Sequence, residues 1–249
     1  AKGLKAGVDI TIAGGTIRVN SADDALHSNN SITINGGDIT VASGDEGVHA
    51  DTAVTMNSGS LVITKSYEGV ESTTITLNGG STSITSEDDG INGSGGADGS
   101  SLNMGPGQDQ FASSNAHVYI NGGYLYVDAN GDGLDSNGSF DMTDGTVIVN
   151  GPTNNGNGAI DYNGTFNLTG GYLVAVGSSG MAEAPSASST QFAVLYNFDT
   201  QQAAGTLVHI ETADGTEVLT FAPTKTYQSG VLSTAELVIG ATYTVCTGC

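Results

Sequence analysis

A Gly-rich turn recurs seven times along the chain, and its spacing is the feature that most restricts the possible folds. The second glycines of these turns are Gly15, Gly37, Gly59, Gly80, Gly123, Gly145 and Gly171. Successive members are separated by 22, 22, 21, 43, 22 and 26 residues. A unit of about 22 residues cannot bury its own apolar face, so it must stack on copies of itself. The period therefore predicts a solenoid.

Apolar residues alternate with polar ones on both sides of each turn. In the second repeat Ile32 and Ile34 precede the turn, Ile39 and Val41 follow it, and Val48 comes after a further loop. Alternation with a period of two predicts strands with one buried face, three to a rung. The hexapeptide repeats of a left-handed helix are absent. The predicted fold class is all-β, a right-handed parallel β-helix of about seven rungs with a C-terminal antiparallel β cap.

The repeat ends near Gly177, which divides the chain. We assign residues 1–177 to the parallel β-helix, residues 178–190 to a linker and residues 191–249 to the cap. The cap should contain strands at 192–198, 206–211, 217–221 and 243–245, with a hairpin turn at Asp214-Gly215. A cap of this kind covers apolar side chains and unpaired backbone groups at the end of a solenoid.

Acidic residues keep step with the turns in two columns. The first column lies nine residues after the turn glycines and contains Asp24, Glu46, Glu68, Asp89 and Asp132. The second lies beyond it and contains His27, His49, Glu71, Asn92, Asp135 and Asp161. Neighbouring carboxylates one strand spacing apart, about 4.8 Å, would repel by about 3 kcal/mol at an effective dielectric constant near 20. The columns therefore need counter-ions.

The charge balance indicates which ions these are. The chain has 26 acidic residues against five Lys and Arg, a net charge of −21. Oxygen ligands without cysteine favour Ca²⁺ over Zn²⁺ or Mg²⁺. The candidate ligands are Asp23, Asp24, Asp45, Glu46, Glu68, Glu71, Asp88, Asp89, Asp132, Asp135 and Asp161. The alternative is a solvated acidic edge, and we expect His27 and His49 to be exposed corner residues rather than ligands.

Composition also excludes some partners. So negative a chain is not expected to bind nucleic acid. No apolar run is long enough for a membrane span. The chain begins within a repeat, so we expect it to be the C-terminal part of a longer secreted protein. Its extracellular partner would be a cation or a surface reached through bridging cations.

Tyrosines at outward positions are candidate sugar-binding residues. Tyr124, Tyr126 and Tyr172 lie on the strands that follow the turns, and Tyr67 lies in an acidic loop. Tyr124 and Tyr172 should be two rungs apart, about 9.6 Å, close to the two-sugar repeat of an extended β-linked glucan. Aromatic rings offer flat apolar faces to sugars. Packing of these tyrosines against the cap is an equal alternative.

Three further features leave the chemistry open. Lys65, three residues before Glu68, is the one candidate base for Ca²⁺-dependent β-elimination, although an ion pair with the acidic column is favoured for it. Cys246 and Cys249 allow a local disulfide, an intermolecular one or free thiols. Residues 93–115 form a Gly/Ser-rich insertion with Asp98 and Asp109, which is expected to flank a groove.

Several strings resemble bacterial secreted β-helix proteins, the carbohydrate-binding domain-containing proteins, which are related in fold to Ca²⁺-dependent pectate lyases. They include Asp23-Asp24-Ala25-Leu26-His27-Ser28, Glu87-Asp88-Asp89-Gly90-Ile91-Asn92 and Gly131-Asp132-Gly133-Leu134-Asp135. The resemblance extends over essentially the whole chain, although the cysteine pair departs from the family pattern. It implies Ca²⁺ in the acidic loops and binding of cellulose or polygalacturonate.

We therefore expect a secreted, non-catalytic, Ca²⁺-binding protein that binds polysaccharide at a cell surface. One alternative is a Ca²⁺-dependent polysaccharide lyase. Another is a fibre or adhesin subunit that associates end to end or through its cysteines.

Overall fold

A computed structural model describes residues 1–94 and 115–249, and within these ranges all regular structure is β. The expected groove-flanking role of the insertion concerns residues 95–114, which lie outside the described part of the chain. In the described ranges no helix is long and apolar enough to cross a membrane.

The strands form seven rungs. The first four rungs contain β1 (Leu4–Ala6), β2 (Asp9–Ile12), β3 (Thr16–Asn20), β4 (Leu26–Ser28), β5 (Ser31–Ile34), β6 (Asp38–Ala42), β7 (Val48–Met56), β8 (Ser60–Lys65), β9 (Val70–Leu77) and β10 (Ser81–Ser86). The last three contain β11 (Ile91–Gly93), β12 (His117–Ile120), β13 (Tyr124–Ala129), β14 (Leu134–Ser136), β15 (Ser139–Met142), β16 (Thr146–Asn150), β17 (Ile160–Tyr162), β18 (Phe166–Leu168) and β19 (Tyr172–Gly177).

These strands build three walls in which every neighbouring pair is parallel. Wall 1 consists of β1, β4, β7, β9, β11, β14 and β17. Wall 2 consists of β2, β5, β12, β15 and β18 together with the second halves of β7 and β9. Wall 3 runs from β3 through β6, β8, β10, β13 and β16 to β19. The predicted parallel β-solenoid with three strands to a rung is confirmed.

The core is a stack of like side chains, as the alternation predicts. In wall 1, Leu26, Val48, Val70, Ile91 and Leu134 lie in register and are at most 1% exposed. The core widens near its end, where the rings of Phe140 and Phe166 lie 5.0 Å apart. A shallow, continuous core of this kind exists only because each rung buries the face of the next.

The backbone conformation explains why glycine recurs at the turns. All seven have φ between 80° and 103°, a left-handed region that side chains disfavour. A Cβ on Gly59 would also lie 2.7 Å from the carbonyl oxygen of Gly37 in the rung before it. At the same corner Asn57 donates to Asn35 over 2.8 Å, and Asn78 donates to Asn57 over 2.8 Å. The Asn ladder is thus a structural feature, as expected.

The C-terminal region closes the solenoid in two ways. The strand β23 (Tyr227–Ser233), which the sequence pattern did not predict, pairs antiparallel with β19, and β20 (Ala193–Gln202) pairs with β23. A separate antiparallel sheet of β21 (Val208–Thr212), β22 (Glu217–Phe221) and β24 (Tyr243–Thr247) packs over them. This sheet fits the predicted cap. Cys246 and Cys249 form one disulfide within the chain.

The segment before β20, residues 178–190, is hydrogen-bonded to the last rung of the solenoid. The Oγ atoms of Ser186 and Ser189 accept hydrogen bonds from the backbone N–H groups of Phe166 and Leu168. Residues 178–190 therefore satisfy part of the open edge of β18.

Candidate functional site

The two polar columns lie side by side along wall 1. We call the first the loop column and the second the wall column. Strand pairing puts Lys5, His27, His49, Glu71, Asn92, Asp135 and Asp161 in one register line, the wall column. The loop column is aligned by backbone hydrogen bonds of 2.8 to 3.0 Å from each of the first five rungs to the acidic residue of the next. The predicted alignment of both columns is confirmed.

The small residue after each loop acid lets the loop press onto the core. A Cβ on Gly90 would lie 2.3 Å from Cγ1 of Val127 and 2.6 Å from the carbonyl oxygen of Gly133. A larger residue there would push the loop outward. The carboxylate just before this glycine is therefore drawn over the outer face of wall 1, beside the wall column.

The lower segment of the columns comprises Lys2, Asp24, Glu46, His27, His49 and Glu71. His27 Nδ1 donates to Asp24 Oδ2 over 2.6 Å, and Lys2 Nζ donates to Asp23 Oδ1 over 3.2 Å and also reaches Asp24. His49 Nδ1 lies 2.9 Å from Glu71 Oε2, and its Nε2 lies 3.1 Å from Asp51 Oδ1. Lys2, His27 and His49 thus lie among the carboxylates of this segment.

Burial and partners shift the pKa values here in opposite directions. Burial favours the neutral form of Asp24, but hydrogen bonds with Glu46, Lys2 and Asp23 outweigh it and hold its pKa well below the usual range. Burial likewise opposes protonation of His49, but the hydrogen bond and charge of Glu71 raise its pKa to about 9. His49 is therefore a buried cation at neutral pH, and it neutralises acids that the sequence assigned to Ca²⁺.

Two expectations from the sequence are wrong here. His27 and His49 are not exposed corner residues: they are 1% and 0% exposed, and their rings stack 5.1 Å apart. They were misjudged because the loop acids fold over them. Lys65 is not the lysine beside the column either. It pairs with Glu87 over 3.2 Å, with both side chains more than half exposed, whereas Lys2 enters the column.

The upper segment comprises Glu68, Asp88, Asp89, Asp132, Asp135 and Asp161, together with Asn92, which lies next to Asp135 in the wall column. Asn92 Nδ2 donates to Glu68 Oε2 over 2.8 Å, and the backbone N–H of Asp132 donates to Asp89 Oδ1 over 2.6 Å. Oxygens of Asp132, Asp135 and Asp161 lie within 4.8 Å of one another. The basic residues are elsewhere: Lys2, Lys5 and Arg18 belong to the first rung, Lys65 pairs with Glu87, and Lys225 pairs with Asp128.

Without a protein cation, the upper carboxyls resist ionisation. Burial, then repulsion from Glu71, raises the pKa of Glu68 to about 8. Burial and the charges of Asp132 and Asp161 raise the pKa of Asp135 to about 8. Burial also raises the pKa of Asp132 to about 6 and that of Asp89 well above its ordinary value. A bound cation would relieve these costs.

The donor set fits Ca²⁺. All candidate ligands in the upper segment are oxygens, which this hard cation prefers. Asn92 adds a carbonyl oxygen: its side chain is 8% exposed, and no described residue donates a hydrogen bond to Oδ1. Two other groups have suitable spacing, Asp23, Asp24 and Asp45 at the lower end, and Glu46, His49 and Glu71. Lys2 contacts the first of these, and His49 in the second is protonated, so the upper segment fits Ca²⁺ best.

The four candidate tyrosines lie in different surroundings. Tyr124 and Tyr172 occupy one outward column of wall 3 with Thr146 between them, as predicted. Tyr124 is 41% exposed, whereas Tyr172 packs against the core of the cap. Tyr126 accepts a hydrogen bond from Asn150 Nδ2 over 3.3 Å. Tyr67 is exposed beside the acidic loops, and its hydrogen bond to Asp88 raises its pKa to about 12.

Comparison with known proteins gives one match. Residues 1–47 match the family model of carbohydrate-binding domain-containing proteins, a stretch of 47 of the 249 residues that covers the first two rungs. The matched stretch is shorter than the resemblance noted in the sequence, which extends over essentially the whole chain. No curated protein and no solved structure matches the chain.

Proposed function

We propose that this β-solenoid is a secreted, non-catalytic protein that binds polysaccharide with the help of Ca²⁺. The observation that carries the proposal is the family match over the first two rungs. The flat outer walls of a solenoid suit a long, regular ligand, because each rung repeats the same surface at a fixed spacing. The intrachain disulfide supports an oxidising, extracellular location.

Calcium would be held in the upper segment, by Asp132, Asp135 and Asp161. Glu68, Asp89 and Asn92 would add further oxygens, since the charge of Asp135 acts on Glu68 and Asp89, and Asn92 Nδ2 donates to Glu68. The ion would neutralise the buried carboxylates and would also attract the carboxylates of an acidic glycan. Tyr67, at the rim of this segment, would contact the sugar ring. This arrangement supports pectin-type glycans as ligands.

Tyr124 would serve as the aromatic contact on wall 3. Of the three tyrosines of that wall it has the most exposed ring, since Tyr172 is packed under the cap and Tyr126 is only partly exposed. A flat ring at this position would suit cellulose, whose sugars present apolar faces. Cellulose and pectin-type glycans are therefore both candidate ligands.

Affinity electrophoresis in gels containing polygalacturonate or hydroxyethyl cellulose, with Ca²⁺ or a chelator, tests this function. We expect retardation by polygalacturonate that needs Ca²⁺ and is lost in Asp135→Asn. Tyr124→Ala should reduce retardation by cellulose, whereas Tyr196→Ala, an equally exposed tyrosine of the cap region, should not. Unretarded migration in both gels would contradict the proposal. Release of unsaturated, ultraviolet-absorbing products from polygalacturonate would contradict its non-catalytic part.

A further inference from the structure

The outer face of wall 2 changes character along the solenoid. In its first four rungs one outward column consists of threonines alone: Thr11, Thr33, Thr55 and Thr76. The same column continues with Tyr119, Asp141 and Asn167. His117 stands beside Tyr119 on β12. We call His117, Tyr119, Asp141 and Asn167 the wall 2 cluster, and neither the acidic columns nor the tyrosines of wall 3 include it.

The cluster is held by a continuous chain of hydrogen bonds across three rungs. His117 Nε2 lies 2.6 Å from Asp141 Oδ2, and Asn167 Nδ2 donates to Asp141 Oδ1 over 3.1 Å. Ser188, in the segment that follows the last rung, donates to Asn167 Oδ1 over 3.1 Å. The rings of His117 and Tyr119 stack 4.1 Å apart with an interplanar angle of 10°. Four side chains are therefore fixed in position on a solvent-facing wall.

This chain of bonds also assigns the histidine tautomer. An ionised carboxylate only accepts hydrogen bonds, so His117 Nε2 carries the proton that it shares with Asp141. In the neutral ring Nδ1 is then an acceptor. No described residue bonds to this nitrogen. His117 and Asp141 are 27% and 33% exposed, so both remain within reach of a ligand in solvent.

We infer that the wall 2 cluster is a Ca²⁺-independent binding subsite for a neutral glycan. The aromatic pair supplies apolar surface for the C–H groups of a sugar ring, and the fixed carboxylate, amide and imidazole supply partners for its hydroxyl groups. The strands of wall 2 contain no Lys or Arg, and a carboxylate lies at the centre of the cluster. A uronate would therefore be repelled here, whereas a neutral sugar would not.

The preorganisation of the cluster supports binding rather than packing alone. A ligand that meets side chains already fixed by Asp141 and Asn167 loses less conformational freedom on binding. The flat threonine column beside the cluster leaves room for further sugars along the solenoid. This inference rests on the proposed polysaccharide-binding function and adds the position and the charge class of one ligand.

Isothermal titration calorimetry with cellohexaose in a chelator tests the subsite. We expect binding by the wild type, an affinity about tenfold lower in Tyr119→Ala, equivalent to about 1.4 kcal/mol, and a similar loss in Asp141→Asn. Tyr119→Phe should retain most of the affinity, because the ring is kept. Trigalacturonate should give no heat under the same conditions. Urea midpoints of all variants are measured to show that they fold.

A second readout separates binding from a structural role. The Cε1–H resonance of His117 should shift in NMR spectra when cellohexaose is added, and the other three histidines should not. Cellohexaose could instead bind with the same affinity in Tyr119→Ala, leave the His117 resonance unshifted and lose affinity in Tyr124→Ala. In that case the subsite is wrong and the proposed function stands. If neither cellohexaose nor Ca²⁺-loaded polygalacturonate binds the wild type, both are wrong.

Discussion

The lower and upper segments of the polar columns share one backbone register but solve the same electrostatic problem differently. In the lower segment Lys2 and His49 lie among the buried acids, and Asp24 remains ionised. In the upper segment no Lys or Arg is paired with an acid, and the pKa values of Glu68 and Asp135 rise to about 8. The difference shows that an acidic ladder is not by itself a Ca²⁺ site. The need for an ion depends on which neighbours fill each rung.

The largest expected effect is in the lower segment. Removing one partner of a buried ion pair leaves an uncompensated charge, which costs about 3–5 kcal/mol. We therefore expect His49→Ala to lower the free energy of unfolding by about this amount in urea titrations at pH 7. Lys65→Ala, which removes a basic residue from an exposed pair, should be close to wild type. Equal losses in the two variants would show that burial does not distinguish them.

Calcium withdrawal should act on the upper segment alone. An ion at one hundred times its dissociation constant adds about 2.7 kcal/mol to the stability. We expect chelation to remove a gain of this order from the wild type but not from Asp135→Asn. In chelator alone at pH 7, Asp135→Asn should exceed the wild type in melting temperature, because an amide does not have to take up a proton on folding. Asp199→Asn, at an exposed position, is the control and should keep the full Ca²⁺ response.

The pH dependence of stability should separate the segments. In the folded chain Glu68 and Asp135 bind protons up to about pH 8, but in the unfolded chain they lose them near pH 4.5 and 3.8. Stability contributed by the upper segment is therefore greatest below about pH 4 and is lost as the pH rises to about 8. His49 contributes stability that is complete below its unfolded value of 6.5 and is lost as the pH rises through about 9.

Calcium should abolish only the loss of stability that comes from the upper segment, and not the loss that follows deprotonation of His49. Melting temperatures measured between pH 4 and 10, with Ca²⁺ and with chelator, provide the comparison. A stabilisation by Ca²⁺ that is largest below pH 5, where the upper carboxyls are protonated, would contradict the assignment of the ion to the upper segment.

The smallest effect should come from the neutral Asn ladder. Asn57 makes two neutral hydrogen bonds at an exposed corner, so Asn57→Ala should cost about 1 kcal/mol. Since no charge is involved, urea titrations should give the same loss with Ca²⁺, with chelator and at any pH between 5 and 8. A Ca²⁺-dependent loss would mean that the corner ladder and the acidic columns are coupled.

The sequence predicted the features that depend on local repetition. The turn glycines, the inward apolar positions and the register of both columns all follow from a fixed period, because stacking places equivalent residues together. The strand β23 was missed, since its pairing with β19 joins residues far apart in sequence and leaves no periodic signal.

The partners within the columns could not be predicted for a similar reason. In the first rung Lys2 occupies the position that an acid occupies in the loops of the following rungs. The repeat alignment contains this signal, but Lys2 was not identified from the sequence as a neutralising partner. The burial of His27 and His49 depends on how far each loop folds over wall 1, which periodicity does not specify. The wall 2 cluster arises where one outward column changes from threonine to other residue types. It can be found in the sequence by comparing the residues at that one position of every rung.

The most direct test of how the two segments are neutralised is to locate the ions. Crystals grown with Ca²⁺, and then with Tb³⁺ in its place, would reveal bound ions by anomalous scattering. We predict density at Asp132, Asp135 and Asp161 in the upper segment, and none at Glu46, His49 and Glu71 in the lower one. Density in the lower segment, or in neither segment at saturating Ca²⁺, would contradict the claim that protein cations neutralise one half and Ca²⁺ the other.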